Sequence, residues 1–156
     1  MRIAVCILFV LTLFSCGSET EVLKPIMGEG HFRGNSIGDK YKKVSNQVKK
    51  DNPVSISESA IGCELKVDGA EITVEYEFDG DVLYSIQADL FFEDSTQMAE
   101  FQGKLIERYN AAYGDMSEDG GFLVWQENNR IEFTLADESI EFGQPMLSLT
   151  IYNFDY

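Results

Sequence analysis

An alternation of apolar and polar residues on either side of Asp68-Gly69 is the pattern that most restricts the fold of this chain. Residues 61–67 and 71–78 both place an apolar side chain at every second position, which is the period of a half-buried β-strand. Asp-Gly favours a two-residue hairpin turn, because both central residues of that turn need positive φ. Such a loop pairs Val67 with Ala70, and each further pair in that row is apolar with apolar. We therefore expect an antiparallel sheet with one buried face.

The next strand extends this row, but the turn before it has two solutions. Residues 82–92 alternate in the same way, and residues 54–57 predict a short strand before the hairpin. A two-residue turn at Asp79-Gly80 would place Ser85 in the apolar row, whereas a three-residue turn that includes Asp81 would keep Tyr84 in it. We expect the longer turn, because a slip of one residue moves a whole row to the other face.

Two helices are predicted from apolar residues at spacings of three and four. The first covers residues 39–50, with Asp39 or Ser36 as its N-cap, and the second covers residues 95–113, with Asp94 as its N-cap. The first helix is rich in lysine. These lysines would form a basic patch that binds anionic lipid or an acidic partner; alternatively, they form a solvated surface that offsets the acidic sheet. This basic patch consists of Lys40, Lys42, Lys43, Lys49 and Lys50.

Three more strands are expected after a polar loop that follows the second helix. Residues 122–127 and 130–136 would form a hairpin around Asn128-Asn129, and residues 146–156 the last strand. A two-residue loop would turn Trp125 to the outer face of the sheet, whereas a loop one residue longer would turn it into the core. In the first case the outer face would carry an aromatic patch for a protein partner, made of Leu123, Trp125, Tyr152, Phe154 and Tyr156.

The order of these elements predicts an α+β fold, a two-layer sandwich with helices on one face of an antiparallel sheet. Residues 36–92 and 94–156 would form two halves of similar layout, each a helix followed by strands. This layout, with residues 34–39 (GNSIGD) leading into a helix, resembles two families. One is the small lipoprotein of the outer-membrane barrel assembly machine, and the other is the β-lactamase-inhibitor-like repeat. The resemblance implies a fold and carries no functional residue across.

The N-terminal residues predict where the protein is located. Arg2 is followed by an apolar run that is typical of a signal peptide. The run is too short to cross a bilayer, which takes roughly 20 residues. Leu13-Phe14-Ser15-Cys16 resembles the lipobox of bacterial lipoproteins. The resemblance implies that residues 1–15 are a lipoprotein signal peptide, that Cys16 carries the lipid, and that Gly17 favours the outer membrane, on the periplasmic side or at the cell surface. The alternative is an ordinary secretory signal that leaves a free thiol.

Charge is distributed unevenly along the rest of the chain. Residues 16–31 are interpreted as a flexible tether and residues 32–156 as one domain. The net charge is −15, yet residues 33–50 hold six bases and one acid, while residues 51–156 hold 23 acids and four bases. So negative a chain is not expected to bind nucleic acid. Cys63 would remain without a disulfide partner and is expected to be a small buried apolar residue.

No catalytic motif is present, and the single histidine, His31, is expected at the surface where the tether ends. We therefore expect a non-enzymatic domain that binds or scaffolds a protein partner in the envelope, with no metal and no cofactor. A small-molecule or ion-binding module with a pocket between sheet and helix, and a carboxylate-based hydrolase, are the alternatives. An exposed aromatic cluster on the sheet would support protein binding, and an all-acidic outer face would argue against it.

Overall fold

The computed structural model describes residues 29–51, 53–67 and 69–155. The predicted signal peptide, Cys16 and Tyr156 lie outside these residues. The helices are α1 (Tyr41–Val48, extended by a 3-10 turn at Lys49–Asp51), α2 (Ser95–Tyr113) and α3 (Ser139–Phe142). The strands are β1 (Pro53–Ile56), β2 (Ala60–Val67), β3 (Ala70–Asp79), β4 (Val82–Phe91), β5 (Ser117–Asp119), β6 (Phe122–Glu127), β7 (Ile131–Asp137) and β8 (Met146–Asn153).

The eight strands form one antiparallel sheet in the order β1-β2-β3-β4-β8-β7-β6-β5. Each half of the described chain supplies a helix and then four strands, and the last strands of the two halves, β4 and β8, pair at the centre. Buried side chains of α1 and α2 join those of the strands in one apolar cluster. The predicted α+β sandwich with helices on one face is therefore confirmed.

The first hairpin has the register that the alternation predicts. Val67 pairs with Ala70, and the row continues through Cys63 and Val74. Gly69 has a φ of +83°, in the left-handed region that glycine adopts without a steric penalty. The local sequence thus suffices to set this register.

The turn between β3 and β4 differs from both predicted solutions. Asp79 pairs with Val82, so the loop consists of Gly80-Asp81, and the register shifts between Glu77 and Phe78. This shift leaves Tyr84 as the extra residue of a β-bulge. The prediction that Tyr84 lies in the apolar row is wrong, because the bulge turns it out while Ile86, Ala88 and Leu90 face the core.

The second helix is predicted correctly, and the first begins two residues later than expected. The N-cap of α2 is Asp94, whose Oδ1 accepts a hydrogen bond from the Gln97 backbone N–H at 2.8 Å. Lys40 is the N-cap of α1 and makes no side-chain capping bond. The Asp39 carboxylate instead accepts the Ser36 backbone N–H at 2.7 Å and binds Lys43 at 2.7 Å, which orders the loop that leads into α1.

The segment of residues 29–40 belongs to the folded body, whereas the tether was predicted to extend to residue 31. Phe32 is completely buried, and a tight turn through Arg33 and Gly34 returns the chain, with the Asn35 N–H donating to the Phe32 carbonyl at 2.9 Å. His31 is also buried, so its predicted surface position is wrong. This N-terminal segment has no apolar period, which is why its burial was missed.

Replacing Phe32 by alanine tests whether the N-terminal segment is part of the core. Truncating a buried phenylalanine costs about 3–5 kcal/mol of unfolding free energy, because the cavity is only partly refilled. Phe122→Ala is the matched control, since Phe122 is 44% exposed and should change stability by less than about 1 kcal/mol. Urea unfolding of both variants measures the difference, and equal losses would contradict a core role for Phe32.

Candidate binding face of the sheet

The face of the sheet opposite α1 and α2, here called the outer face, is polar and acidic. Lys66 is the only base in the eight strands, and it lies 3.1 Å from Glu71. The register places the carboxylates on one side of their strands, opposite the apolar row. The acids of the outer face are Glu64, Glu71, Glu75, Glu77, Asp79, Asp89, Asp119 and Glu132.

Neutral partners separate these acids across the strands. Glu75 pairs with Gln87, Glu77 with Ser85, and Asp89 with Thr73 on one side. On its other side Asp89 accepts a hydrogen bond from the Ser148 hydroxyl at 3.1 Å. Because like charges directly opposite each other destabilise a sheet, this spacing lets an acidic face form with little repulsion.

The bulge in β4 adds an aromatic side chain to one end of the outer face. Tyr84 lies among Glu77, Glu75 and Asp79, the outward residues at the end of β3. Desolvation and the Glu77 carboxylate, which accepts the phenol proton in a hydrogen bond, raise the pKa of Tyr84. The bulge therefore re-aims a tyrosine from the core to a carboxylate.

A second tyrosine lies on the same rung of the sheet. Tyr152 is the partner of Ser85 on one side and of Glu132 on the other. Its hydroxyl donates to Glu132 Oε1 at 2.7 Å, and this hydrogen bond, together with desolvation, raises the pKa of Tyr152 to about 12. The ring of Phe154, which is 46% exposed, meets the Tyr152 ring edge-on at 5.2 Å.

We call this group the tyrosine–carboxylate row; it consists of Tyr84, Glu77, Tyr152, Glu132 and Phe154. Its chemistry suits a cationic side chain, because carboxylates form charge-assisted hydrogen bonds with Arg or Lys. Tyrosine and phenylalanine faces add a cation–π attraction of about 0.5–1 kcal/mol at exposed sites. Two of the residues predicted for partner binding, Tyr152 and Phe154, thus belong to one exposed group.

The structure contradicts the predicted outer position of Trp125 and Leu123. Glu127 pairs with Ile131, so the β6–β7 loop has three residues, and the row of Trp125 turns to the core. Trp125 is 2% exposed, and its Nε1 donates to Asn110 Oδ1 of α2 at 2.8 Å. Leu123 is half-buried against the same core. Of the described residues predicted for the aromatic patch, Tyr152 and Phe154 therefore remain, both in the tyrosine–carboxylate row.

The basic patch lies on the helix side of the molecule, away from the outer face. Val44 and Val48 of α1 are buried against the sheet, so the lysines point to solvent. Two of the five have carboxylate partners: Lys40 lies 3.6 Å from Asp81, and Lys43 lies 2.7 Å from Asp39. The chain is thus acidic on one side and basic on part of the other.

A buried polar contact ties the N-terminal segment to the β6–β7 hairpin. His31 Nδ1 accepts the Ile37 backbone N–H at 3.1 Å, and Nε2 lies 2.9 Å from Glu127 Oε2. Because Nδ1 is an acceptor, the proton of the neutral ring is on Nε2 and faces Glu127. Burial lowers the pKa of His31, against the opposing effects of Glu127 and Asp39. The contact holds the N-terminal segment against the end of β6.

The remaining residues with reactive side chains are structural. Cys63 is buried, as predicted, and burial raises the pKa of its thiol to about 11, so the nucleophilic thiolate is scarce. Arg33 binds Asp51 through Nη2 at 2.5 Å and Nε at 3.3 Å. Within the described ranges, no three His, Cys, Asp or Glu side chains are grouped to hold a metal ion.

An open cleft of about 510 Å³ lies between Tyr41 at the start of α1, the end of β1 and the β3–β4 turn. A second cleft, between α2 and the first hairpin, lies where helix and sheet pack together as predicted. It has a volume of about 190 Å³ and is lined by Val67, Ala70, Phe92, Gln97, Glu100, Phe101 and Lys104. Ligand pockets usually measure about 300–1,000 Å³, so this cleft would enclose only a small group. The outer face is the more extensive candidate surface.

Comparison with known proteins gives no relative: no family model, curated protein or solved structure matches this chain. In the part of the chain that the structure describes, no helix is long and apolar enough to cross a bilayer. The functional argument therefore depends on the chemistry of the surfaces described above.

The His31 contact predicts a pH dependence of stability. The folded-state pKa of His31 is below the ordinary value of about 6.5, so between these two values the unfolded chain binds a proton that the folded chain does not. The unfolding free energy should therefore fall as pH is lowered through 6.5. Urea unfolding at pH 5 to 8 measures this fall.

His31→Gln is the variant that isolates the contribution of the imidazole. Glutamine keeps a polar group but does not titrate. As pH falls, the unfolding free energy of the wild type should therefore decrease more than that of the variant. A constant difference across this range would show that His31 titrates equally in both states.

Proposed function

We propose that this protein is a lipid-anchored lipoprotein of the outer membrane whose outer sheet face binds a cationic segment of a protein partner, in a non-enzymatic binding or scaffolding role. The tyrosine–carboxylate row is the observation that supports the binding role. It combines two partly exposed tyrosine rings and the exposed ring of Phe154 with carboxylates, on a face that neither α1 nor α2 covers. The lipobox-like residues 13–16 support the anchored location.

The mixed character of the outer face favours a charged partner over an apolar one. The face is polar and its charges are almost all negative, which argues against a hydrophobic interface, and the rings of Tyr84 and Tyr152 lie beside carboxylates. A single exposed ion pair contributes only about 0–1 kcal/mol, so useful affinity requires several contacts made together. The partner should therefore present more than one basic side chain.

The geometry of the row sets the spacing of those basic side chains. Glu77 of β3 and Glu132 of β7 are separated by β4 and β8 on the same rung. Neighbouring strands are about 4.8 Å apart, so the two carboxylates are roughly 14 Å apart at the backbone. An extended segment rises about 3.3 Å per residue, so basic residues about four positions apart would reach both.

Site-directed crosslinking in intact envelopes tests the binding role. A photoreactive residue at Gln87, which is exposed on the outer face between Glu75 and Thr150, should capture one partner. The same probe at Glu107, on the exposed side of α2, should not capture it. Capture of the same protein from both positions would contradict a role for the outer face.

Charge variants show whether the row carries the interaction. Glu77→Gln with Glu132→Gln should lower the Gln87 crosslinking yield several-fold, because both carboxylates lose their charge while the amides keep similar shape. Glu100→Gln with Glu107→Gln on α2 is the matched control and should leave the yield unchanged. Equal yields from the two double variants would count against the proposed surface.

Acylation of Cys16 is tested separately by the mass of the N-terminal peptide. The expected product begins at Cys16 and carries lipid, and Cys16→Ser should move the protein from the membrane fraction to the soluble envelope fraction. The variant carries no acyl chain, and stable anchoring needs more than one membrane-binding signal, so its release from the membrane should be nearly complete. An unmodified Cys16 in a soluble protein would overturn the anchored location and leave the outer-face test intact.

A further inference from the structure

The lysines of α1 and of its 3-10 extension that have no carboxylate partner are here called the lysine surface. At 3.6 residues per turn Lys42 lies on the side of α1 away from Val44 and Val48. Lys49 and Lys50 follow directly in the 3-10 turn. All three lysines are exposed. No carboxylate of the described residues lies within ion-pair distance of them, and the Lys49 ammonium donates to Asn46 at 3.1 Å.

Three acids near this lysine surface are already paired with other bases. Asp39 binds Lys43, Asp51 binds Arg33, and Asp81 lies near Lys40. The exposed side of α2, which lies in the same layer, holds Glu100, Glu107, Lys104 and Arg108 and is balanced. Asp39, Asp51 and Asp81 therefore do not cancel the positive charge of Lys42, Lys49 and Lys50.

The negative charge of the outer face is too distant to cancel it. Sheet and helix layer lie between the two surfaces, and a helix with its side chains is about 10–12 Å thick. The separation thus exceeds the screening length of about 8 Å at physiological ionic strength. Although the whole chain is strongly acidic, a flat anionic surface near α1 would meet a positive field.

The chain enters the domain on this same side. The position of a Cβ on Gly34 would be 3.8 Å from the Glu29 carbonyl oxygen and 3.5 Å from Nε2 of Gln47 in α1. Glu29, the first described residue, is therefore close to α1. Even a fully extended chain of thirteen residues, the separation of Cys16 from Glu29, reaches no more than about 45 Å. A lipid on Cys16 would therefore keep the point of entry, and with it α1, within about 45 Å of the membrane.

We infer that Lys42, Lys49 and Lys50 dock on anionic phospholipid headgroups of the membrane that holds the lipid anchor. This docking orients the domain with its outer face pointing away from the bilayer, where a partner can reach it. The inference rests on the anchored location under the proposed function. It adds a second, electrostatic membrane contact to the lipid, the combination that makes peripheral anchoring stable.

The test uses the full acylated protein, reconstituted in vesicles of phosphatidylcholine alone or with about one third phosphatidylglycerol. Amine-labelling rates of individual lysines are read by mass spectrometry. Lys42, Lys49 and Lys50 should label on the order of fivefold more slowly in the anionic vesicles, and the protection should disappear at high salt. Lys66 on the outer face is the internal control and should label equally in both.

Two variants separate a docking role from simple proximity to the bilayer. Docking should also protect Lys40 and Lys43, at the start of α1, from labelling in anionic vesicles. In the triple variant Lys42→Gln, Lys49→Gln and Lys50→Gln, this protection should be lost. In Lys66→Gln with Lys104→Gln, which removes charge away from this surface, that protection should persist. Equal protection of Lys40 and Lys43 in both variants would overturn the inference.

Other occupants of the lysine surface give different outcomes. Protection of equal size in neutral vesicles would point to an acidic protein surface, and protection that grows with protein concentration in detergent would point to the outer face of a second copy; either overturns the lipid assignment. The mass of residue 16 is read from the same preparation. If residue 16 is unmodified, the proposed anchoring fails. The unacylated chain is then mixed with anionic vesicles at low salt, and lysine labelling equal to that without vesicles overturns this inference as well.

Discussion

The pairing of β4 with β8 is the contact on which the rest of the structure depends. It runs from Ser85 and Tyr152 to Phe91 and Met146 and joins the two helix-plus-strands halves into one sheet. The buried side chains of both halves then form one cluster, which neither half would cover with its own helix alone. The tyrosine–carboxylate row crosses this pair, since Glu77 belongs to the first half and Tyr152 to the second. The candidate binding face therefore exists only when the halves are joined.

Local sequence predicted those elements whose signals are confined to a few neighbouring residues. The hairpin around residue 69 follows from alternation and turn chemistry, and α2 follows from its apolar spacing and the Asp94 cap. The bulge at Tyr84 has no such signal, because an unbroken strand fits the same residues equally well. Which residue leaves the apolar row is decided by how β4 meets both β3 and β8, and this is information from distant parts of the chain.

The orientation of Trp125 depends on a distant residue in the same way. Two-residue and three-residue loops around Asn128-Asn129 both accommodate the positive φ that the two asparagines adopt. With the longer loop, the Trp125 indole N–H donates to Asn110 of α2, and the Trp125 ring contacts the Tyr109 ring at 5.2 Å. A buried indole needs a hydrogen-bond acceptor, and no pattern within the hairpin could show that α2 supplies one. The candidate site was accordingly predicted only in part, at Tyr152 and Phe154.

The N-terminal segment connects the point where the chain enters the domain to the orientation of the candidate binding face. His31 meets Glu127 at the end of β6, Phe32 enters the core, and Arg33 binds Asp51 beyond α1, so three consecutive side chains hold three different parts of the domain. The backbone continues this attachment, since the Gly38 N–H donates to Leu83 and the Asp39 carbonyl accepts from it. The chain therefore enters the domain at a segment that is fixed to the core, ahead of α1. The outer face consequently keeps a fixed relation to the point of entry, and this relation is what the proposed lysine contact would use to turn that face away from a membrane.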